Sequence, residues 1–194
     1  MIDRKLILTD CDGVLLDWDR VFVQWMAQRG YAQVRDDVYG VASRFDVSKE
    51  EGRRLSAEFN NSAAIRYLPP IPGAVEGVRR IVQQGYKLRV ITSLSTDPWA
   101  VKAREDNLRE VFGTDAFDKI ICLDTGADKD EELELYAASG LLWLEDKPAN
   151  AYAGRKVGLT SVLLEQKHTV DFNDPVIFKA RDWRDIVNAV YTLK

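Results

Sequence analysis

The chain has 194 residues, of which 46% are hydrophobic and 30% charged, a composition typical of a soluble globular protein with a sizeable core. This length fits one domain, or one domain with a modest insertion. The formal net charge of -4 gives no general attraction to polyanions, so neither a nucleic-acid polymer nor a membrane is expected as a partner. The N-terminal apolar run is too short for a signal peptide, and no segment reaches the ~20 apolar residues of a membrane span, so a cytoplasmic location is expected.

Cysteine and histidine are too rare to supply most catalytic or metal sites. Cys11 and Cys122 are the only cysteines, each in strand-like sequence, and are predicted to be buried free thiols. His168 is the only histidine and is predicted to be a surface residue. Acid and base chemistry therefore falls to carboxylates.

Short apolar runs recur along the chain with helical patterns between them. They are KLILTD at 5–10, KLRVITS at 87–93, KIICLD at 119–124, LLWLED at 141–146 and SVLLE at 161–165. These runs do not alternate strictly, which is typical of strands buried on both faces of a parallel sheet. The predicted fold class is α/β, a Rossmann-like parallel sheet flanked by helices.

Several helices carry recognisable ends or apolar stripes. Asp97 followed by Pro98 predicts a helix start, and that helix should end near Gly113. Trp183 begins an apolar stripe that predicts a final helix packed on the sheet. Trp99 and Trp143 follow helix and strand patterns and are both assigned to the core.

The alternation of strands and helices fails between residues 18 and 68. This segment has helical patterns but no convincing strand, and it ends at the proline-rich stretch LPPIPG. We interpret it as a helical cap inserted after the first strand. The predicted division is a core of residues 1–17 and 69–194 and a small cap of residues 18–68.

Two carboxylates follow the first predicted strand. Asp10 and Asp12 lie at its C-terminal end, the edge at which parallel α/β sheets bind ligands. Acids so close together repel one another unless a cation or a shared proton intervenes, so the pair indicates a hard divalent metal such as Mg²⁺. A solvated turn is the alternative, because Asp and Gly are common turn residues.

Three more polar segments fall at the same predicted edge. Thr92 and Ser93 follow the second strand, Lys129 opens the helix after the third, and Glu145 and Asp146 close the fourth. The alternative for Lys129 is a solvated surface lysine. Lys119 is a competing cation, but it precedes a strand and should lie at the opposite edge.

The DCDGVLLD segment, with Thr92, Lys129 and Asp146 in order after it, resembles the haloacid dehalogenase superfamily. The resemblance implies that Asp10 is the nucleophile and Asp12 the acid and base. It also implies that Thr92 binds phosphate and that Lys129 neutralises charge. Mg²⁺ would be held by Asp10, by Asp146 and by Asp12 through its backbone carbonyl.

The chain is more closely similar to the 5'(3')-deoxyribonucleotidases of that superfamily. The segments that carry the similarity are DCDGVLLDW, YLPPIPGAVEGVRRI, VITSL, WLEDKPANA and RDWRDIVNAV. The family places an aromatic side chain under the cap near the base, and Trp18 occupies the matching position. Trp18 stacking on a nucleobase and Trp18 packing the cap against the core remain equal alternatives.

These observations predict an Mg²⁺-dependent phosphomonoester hydrolase that acts through an aspartyl phosphate, with a deoxynucleoside monophosphate as the leading substrate. Asp10 and Asp12 are the expected catalytic residues, and Thr92, Ser93, Lys129 and Trp18 the expected substrate-binding residues. The alternatives are a phosphatase for a sugar phosphate or phosphoglycolate, and a catalytically silent nucleotide-binding module. A dehalogenase fits less well, because Asp12 and the acidic fourth motif suit metal-assisted phosphate chemistry. A small phosphorylated substrate and a second copy of the chain, in a homodimer, are the partners considered.

Overall fold

The computed structural model of the chain describes residues 3–193 and places six parallel strands in one sheet. The strands are β1 (Leu6–Thr9), β2 (Lys87–Thr92), β3 (Phe117–Cys122), β4 (Leu142–Glu145), β5 (Thr160–Leu164) and β6 (Phe178–Ala180). Their order across the sheet is β3-β2-β1-β4-β5-β6, and every neighbouring pair is parallel. The predicted α/β class is confirmed, and β1 and β4 are neighbours at the centre of the sheet.

The sequence identified five of these strands and missed β6. Every residue of β1 and of β4 is buried, as expected for strands covered by helices on both faces. By contrast, β6 has three residues at the sheet edge, and its Phe178 is partly exposed. Three residues are too few to show the length or apolar run that predicts a strand.

Helices cover the sheet and fill the inserted segment. They are α1 (Trp18–Ala27), α2 (Val41–Phe45), α3 (Lys49–Asn60), α4 (Ala74–Gln83), α5 (Pro98–Phe112), α6 (Asp130–Glu134), α7 (Pro148–Lys156) and α8 (Trp183–Thr192). Three short 3-10 helices lie at Ala63–Tyr67, Thr114–Ala116 and Lys167–Thr169. Between residues 3 and 193, no helix has the length and apolarity needed to cross a membrane.

Residues 18–68, the helical segment, contain helices and connecting loops but no strand, and the helices pack through aromatic side chains. The ring of Phe22 in α1 lies 4.3 Å from that of Trp18, 5.2 Å from that of Phe59 in α3 and 5.8 Å from that of Phe45 in α2. Offset and edge-on aromatic pairs of this kind stabilise a small core. The boundary between a core and a cap stays a prediction.

One buried tryptophan ties the last helix to the loop after β1. Trp183, at the start of α8, is buried, and its indole N–H donates to the carbonyl of Val14 in the loop after β1 at 2.9 Å. Gly77 in α4 makes room for that indole, because a Cβ there would lie 2.4 Å from it. This bond helps to hold the loop that carries Asp10 and Asp12.

The core assignment is correct for Trp143 and wrong for Trp99. Trp143 is fully buried, whereas Trp99 is 83% exposed. Asp97 accepts N–H bonds from Trp99 and Ala100, so α5 begins where the sequence predicts. The buried face of α5 then carries Ala100, Arg104 and Leu108, and helical spacing turns residue 99 away from it.

Candidate active site

The first strand ends in a tight loop that turns two carboxylates toward one cavity. The carbonyl of Cys11 accepts backbone N–H bonds from residues 14, 15 and 16, and Gly13 has a positive φ of 78°. Asp10 is fixed within this loop because its Oδ1 accepts the backbone N–H of Cys11 at 2.7 Å. Asp10 and Asp12 both line the cavity, so the turn joins them as the sequence suggested.

Lys129 is a buried cation between two carboxylates. Its Nζ lies 2.7 Å from Oδ2 of Asp10 and 2.9 Å from Oε1 of Glu145, and the residue is 2% exposed. The alternative of a solvated surface lysine is therefore wrong. Lys119 is exposed, within β3, and is not part of this cluster.

Burial and charge shift the pKa values of the cluster in opposite directions. Burial, with help from the Glu145 charge, raises the pKa of Asp10 to about 7 despite the nearby ammonium of Lys129. Burial and the charges of Glu145 and Asp10 raise the pKa of Asp146 well above its usual value. Burial alone would lower the pKa of Lys129, but the two carboxylates outweigh it and raise that pKa, so the ammonium stays charged.

Asp12 is bound on its other side by Arg104 of α5. One guanidinium nitrogen lies 2.7 Å from Oδ1 of Asp12, and the other donates to Oδ2 at 2.9 Å. Arg104 is fully buried, and it also donates to the sulfur of Cys11 at 2.9 Å. Burial raises the pKa of Asp12, and the Arg104 charge limits that rise. The proposed acid and base thus has a fixed position and a charged partner.

The donor set suits a hard divalent cation. Carboxylate oxygens of Asp10, Glu145 and Asp146 lie within 4.8 Å of one another, and oxygen ligands are those that Mg²⁺ prefers. Gly13 belongs to the same cradle, because a Cβ there would lie 2.1 Å from Oδ2 of Asp146. The side chain of Asp12 lies outside this group of three and faces Arg104 instead, so only its backbone carbonyl is left for the predicted metal contact.

Glu145 orients its neighbours through a network of bonds. The carboxylate is fully buried and accepts bonds from the Lys129 ammonium, the Asn150 amide and the backbone N–H of Asp146. Burial would raise its pKa, but the Lys129 charge and these bonds lower it, so Glu145 stays ionised. A buried carboxylate with this many partners positions Lys129 and Asp146.

Thr92 and Ser93 lie where the sequence placed them, at the end of β2 on the cavity wall. Thr92 is 1% exposed, and its backbone carbonyl accepts the N–H of Leu123 at 2.8 Å. The Ser93 hydroxyl donates to the backbone carbonyl of Ala127 at 2.7 Å, so this side chain is tied to the loop before Lys129. These bonds connect the ends of β2 and β3 beside Asp10.

The cavity has a volume of about 710 Å³ and extends from the carboxylates to the helical segment. Trp18 is one of the residues that line it. One face of the indole is stacked on Phe22, and its N–H donates to Asn60 at 2.8 Å, while Asn60 donates to the carbonyl of Leu94 at 2.8 Å. Trp18 therefore takes part in packing the helical segment and also borders the cavity.

Sequence reasoning missed Arg104 and Tyr39 and was wrong about His168. His168 is half-buried, lines the cavity and makes an edge contact with the ring of Tyr39 at 5.2 Å. Arg104 did leave a signal, because a charge between Ala100 and Leu108 interrupts the buried face of α5. Tyr39 follows α1 in irregular backbone, where no periodicity marks it.

Comparison with known proteins identifies the family of the chain. The family model described as 5' nucleotidase, deoxy (pyrimidine), cytosolic type C protein matches residues 4–194. The chain belongs to this family. A Bordetella pertussis protein that is provisionally named a 5'(3')-deoxyribonucleotidase is 25% identical over 187 residues, covering 94% of this chain and 95% of that protein.

Solved structures of haloacid dehalogenase-type proteins share the fold of this 5'-nucleotidase family member. A haloacid dehalogenase-like hydrolase of Streptococcus pneumoniae has a TM-score of 0.65 at 15% identity, covering 94% of this chain and 96% of that one. CbbY of Rhodobacter sphaeroides, solved with phosphate, has a TM-score of 0.60 at 19% identity and coverages of 92% and 94%. The sequence-based identification of a haloacid dehalogenase-type phosphatase is confirmed.

Proposed function

We propose that the protein is an Mg²⁺-dependent 5'-nucleotidase that hydrolyses deoxynucleoside monophosphates through an aspartyl phosphate on Asp10. The observation that carries the proposal is the buried contact of Asp10 with Lys129, at 2.7 Å, on the wall of a cavity of about 710 Å³. A carboxylate beside a fixed ammonium can receive a dianionic phosphate that it would otherwise repel. Cavities of this size accommodate a small-molecule ligand such as a nucleotide.

In the first step a carboxylate oxygen of Asp10 attacks phosphorus, and the bond from phosphorus to the sugar oxygen breaks. Asp12, in its protonated form, gives its proton to the departing oxygen, so the nucleoside leaves as a neutral alcohol. Burial raises the pKa of Asp12, which favours the protonated form needed here. Lys129 keeps its charge beside the phosphoryl group during the transfer.

In the second step water attacks the phosphorus of the aspartyl phosphate, and the bond to Asp10 breaks. Asp12, now ionised, takes the proton of that water, which returns both carboxyl groups to their starting state. Arg104 favours the ionised form of Asp12 at this stage, because its charge lies within 2.7 Å of the carboxylate. One residue can thus serve as acid and then as base.

A bound Mg²⁺ would be held by Asp10, Asp146 and the backbone carbonyl of Asp12, and it would offset the charge of the phosphate. Glu145 would act through Asp146 and Lys129 as an orienting partner. Thr92, on the cavity wall beside Asp10, would donate its hydroxyl to a phosphoryl oxygen, and Ser93 would do the same once its hydroxyl leaves the carbonyl of Ala127. Trp18, which lines the cavity and is stacked on Phe22, would stack its other face on the base.

Two supports favour a nucleotide over another small phosphate ester. The family match covers almost the whole chain, and the Bordetella relative carries the deoxyribonucleotidase name. The alternative is a sugar phosphate, since CbbY with this fold was solved with xylulose bisphosphate at a TM-score of 0.59. The other alternative is a catalytically silent binding module. The pair of Asp12 and the buried Arg104 argues against it, because binding alone does not require an acid and base beside Asp10.

The test is phosphate release with MgCl₂ from an aryl phosphate, a panel of ribo- and deoxynucleoside monophosphates, and sugar phosphates. We expect turnover of the nucleotides, and loss of turnover in Asp10→Asn, which keeps the side-chain shape but removes the nucleophile. Asp171→Asn is the matched control, since Asp171 is exposed and lies outside the cavity. Turnover confined to sugar phosphates would refute the nucleotide assignment, and turnover surviving in Asp10→Asn would refute the mechanism. The homodimer stays a prediction, which sedimentation of the purified protein would check.

A further inference from the structure

Tyr39 reaches into the cavity from the loop between α1 and α2, and two side chains from the sheet side hold its ring. The Nζ of Lys147 lies 5.2 Å from the ring centroid, and the His168 ring meets it edge-on at 5.2 Å. Lys147 follows β4 and Asp146, while His168 follows β5. Cation–π and edge contacts of this kind restrict the orientation of an aromatic ring.

Tyr39 lines the same cavity as Asp10 and Asp146, and its ring contacts Lys147, the residue after Asp146. The residue as a whole is 53% exposed, and partial burial, followed by the charges of Asp146 and Glu145, raises the pKa of Tyr39 well above its usual value. The phenol is therefore protonated at neutral pH and is a hydrogen-bond donor. Across residues 3–193, however, this hydroxyl makes no hydrogen bond.

The loop that carries Tyr39 is tied to its surroundings. The carbonyl of Arg44 accepts the backbone N–H of Val34 at 2.8 Å, and the Arg44 guanidinium is paired with Asp19 of α1. Asp36 is paired with Lys167, beside His168, at 2.6 Å. The hydroxyl is thus pre-positioned, which reduces the entropy that a ligand must offset when it forms a bond there.

We propose that Tyr39 is a phosphate-binding residue supplied by the helical segment, whose hydroxyl donates to a non-bridging phosphoryl oxygen when the phosphate lies against Asp10. A phosphoryl group offers only acceptors, and its charge strengthens each bond that it accepts. Lys129 would act on it beside Asp10, and Tyr39 would reach it from the loop between α1 and α2, which lines the same cavity. The proposal rests on the proposed function at the same site. It concerns the phosphoryl group, which all candidate substrates share.

Titration calorimetry with inorganic phosphate in MgCl₂ tests the contact without requiring turnover. Tyr39→Phe removes only the hydroxyl, and we expect its dissociation constant for phosphate to rise about tenfold, as for a lost hydrogen bond to a charged group. Tyr67→Phe is the matched control, because Tyr67 is 75% exposed and does not line the cavity. A Tyr39→Phe constant within about twofold of wild type, or no phosphate binding by the wild type, overturns the proposal.

Kinetics then locate the contact on the substrate. We expect kcat/KM of Tyr39→Phe to fall by the same factor for an aryl phosphate and for a deoxynucleotide. A loss limited to the nucleotide would place the hydroxyl on the nucleoside and overturn the proposal. A wild type that hydrolyses no nucleotide would refute the proposed substrate class, whereas the phosphate titration would still decide the role of Tyr39.

Discussion

The guanidinium of Arg104 lies 2.7 Å from Oδ1 of Asp12, so a cation in the middle of α5 holds the proposed acid and base of the loop after β1. Arg104 has no exposed surface, and the Asp12 side chain is 24% exposed toward the cavity. A buried charge is tolerated only when it is paired, so each of these residues depends on the other. Arg104 is therefore expected to set both the orientation of Asp12 and its affinity for a proton.

Replacing Arg104 should destabilise the protein in a pH-dependent way. Burial already raises the pKa of Asp12, and loss of the guanidinium in Arg104→Gln should raise it further. A protein with a carboxyl whose folded-state pKa is raised loses stability as the pH rises from the unfolded-state pKa of that carboxyl to its folded-state pKa, and the whole loss is present above the folded-state pKa. We expect a loss of about 3 kcal/mol near pH 8 and a smaller one near pH 5.

Urea unfolding of Arg104→Gln at the two pH values measures this difference, with Arg109→Gln on the same helix as control. The same variant should show the alkaline limb of kcat/KM displaced to higher pH, because Asp12 then stays protonated longer. Equal destabilisation at both pH values, with an unmoved limb, would show that Arg104 serves packing alone.

The carboxylate cluster should make the metal-free protein less stable as pH rises. The pKa of Asp10 is raised to about 7, mainly by burial and then by the Glu145 charge. The free energy of unfolding of the metal-free protein therefore falls as the pH rises from the usual carboxyl range to about 7. A bound cation offsets this loss. MgCl₂ should raise the Tm strongly near pH 8 and little near pH 5.

Asp10→Asn removes one of the repelling charges, so it should raise the Tm of the metal-free protein near pH 8 by about 4 °C. It should also reduce the shift that MgCl₂ produces. Differential scanning calorimetry with and without chelator measures both effects, and Asp171→Asn again serves as control. A metal-free Asp10→Asn protein that melts below the wild type near pH 8 would contradict the assignment of repulsion.

Two variants of Trp18 separate its role in binding the base from its role in packing. In Trp18→Ala the base would lose its stacking surface, which is worth ~1 to 3 kcal/mol for a nucleobase. We expect KM for the deoxynucleotide to rise about 5- to 100-fold, with the inhibition constant of inorganic phosphate unchanged. Trp99→Ala, on an exposed helix position, should change neither constant.

Packing against Phe22 is the other role of Trp18, and it predicts a different result. If packing alone matters, Trp18→Ala lowers the Tm and affects the nucleotide and inorganic phosphate to the same extent. Trp18→Phe then helps, because it keeps a ring for the base but loses the bond to Asn60. If Trp18→Phe has a normal KM but a lowered Tm, the aromatic ring is what stacks on the base. The indole N–H then serves to hold the helical segment in place through Asn60.

The parts of the site that the sequence could predict are those that lie at strand ends. Asp10, Thr92 and Asp146 each follow a buried apolar run, and a parallel sheet brings such ends to one edge. Lys129 was predictable for the same reason, although its burial between two carboxylates was not. Local patterns were sufficient because the sheet itself sets these distances.

The parts that could not be predicted depend on contacts between distant segments. Arg104 meets Asp12 across 92 residues, and Tyr39 meets His168 only because a loop after β5 folds under the helical segment. Propensity and periodicity carry no information about such pairs. The prediction for Trp99 is wrong for a related reason, since its aromatic side chain favours the core but its position lies off the buried face of α5.

Gly13 provides the sharpest test of the cradle around Asp146. It has a φ of 78°, and a Cβ at this position would lie 2.1 Å from Oδ2 of Asp146, so Gly13→Ala must displace that carboxylate. A displacement of about 1 Å in a metal-assisted site should lower kcat/KM by about 100-fold and raise the MgCl₂ concentration needed for half-maximal activity.

Gly30→Ala is the matched control, because Gly30 has a φ of 84°, no atom within 4 Å of an added Cβ and no place in the cavity lining. Both variants have the same backbone strain, of about 1 kcal/mol, and should lose similar stability. Only Gly13→Ala should lose activity and affinity for Mg²⁺, since only its methyl group meets Asp146. If the two variants lose activity equally, backbone strain explains the loss, and Asp146 is not held in the position on which the proposed metal site depends.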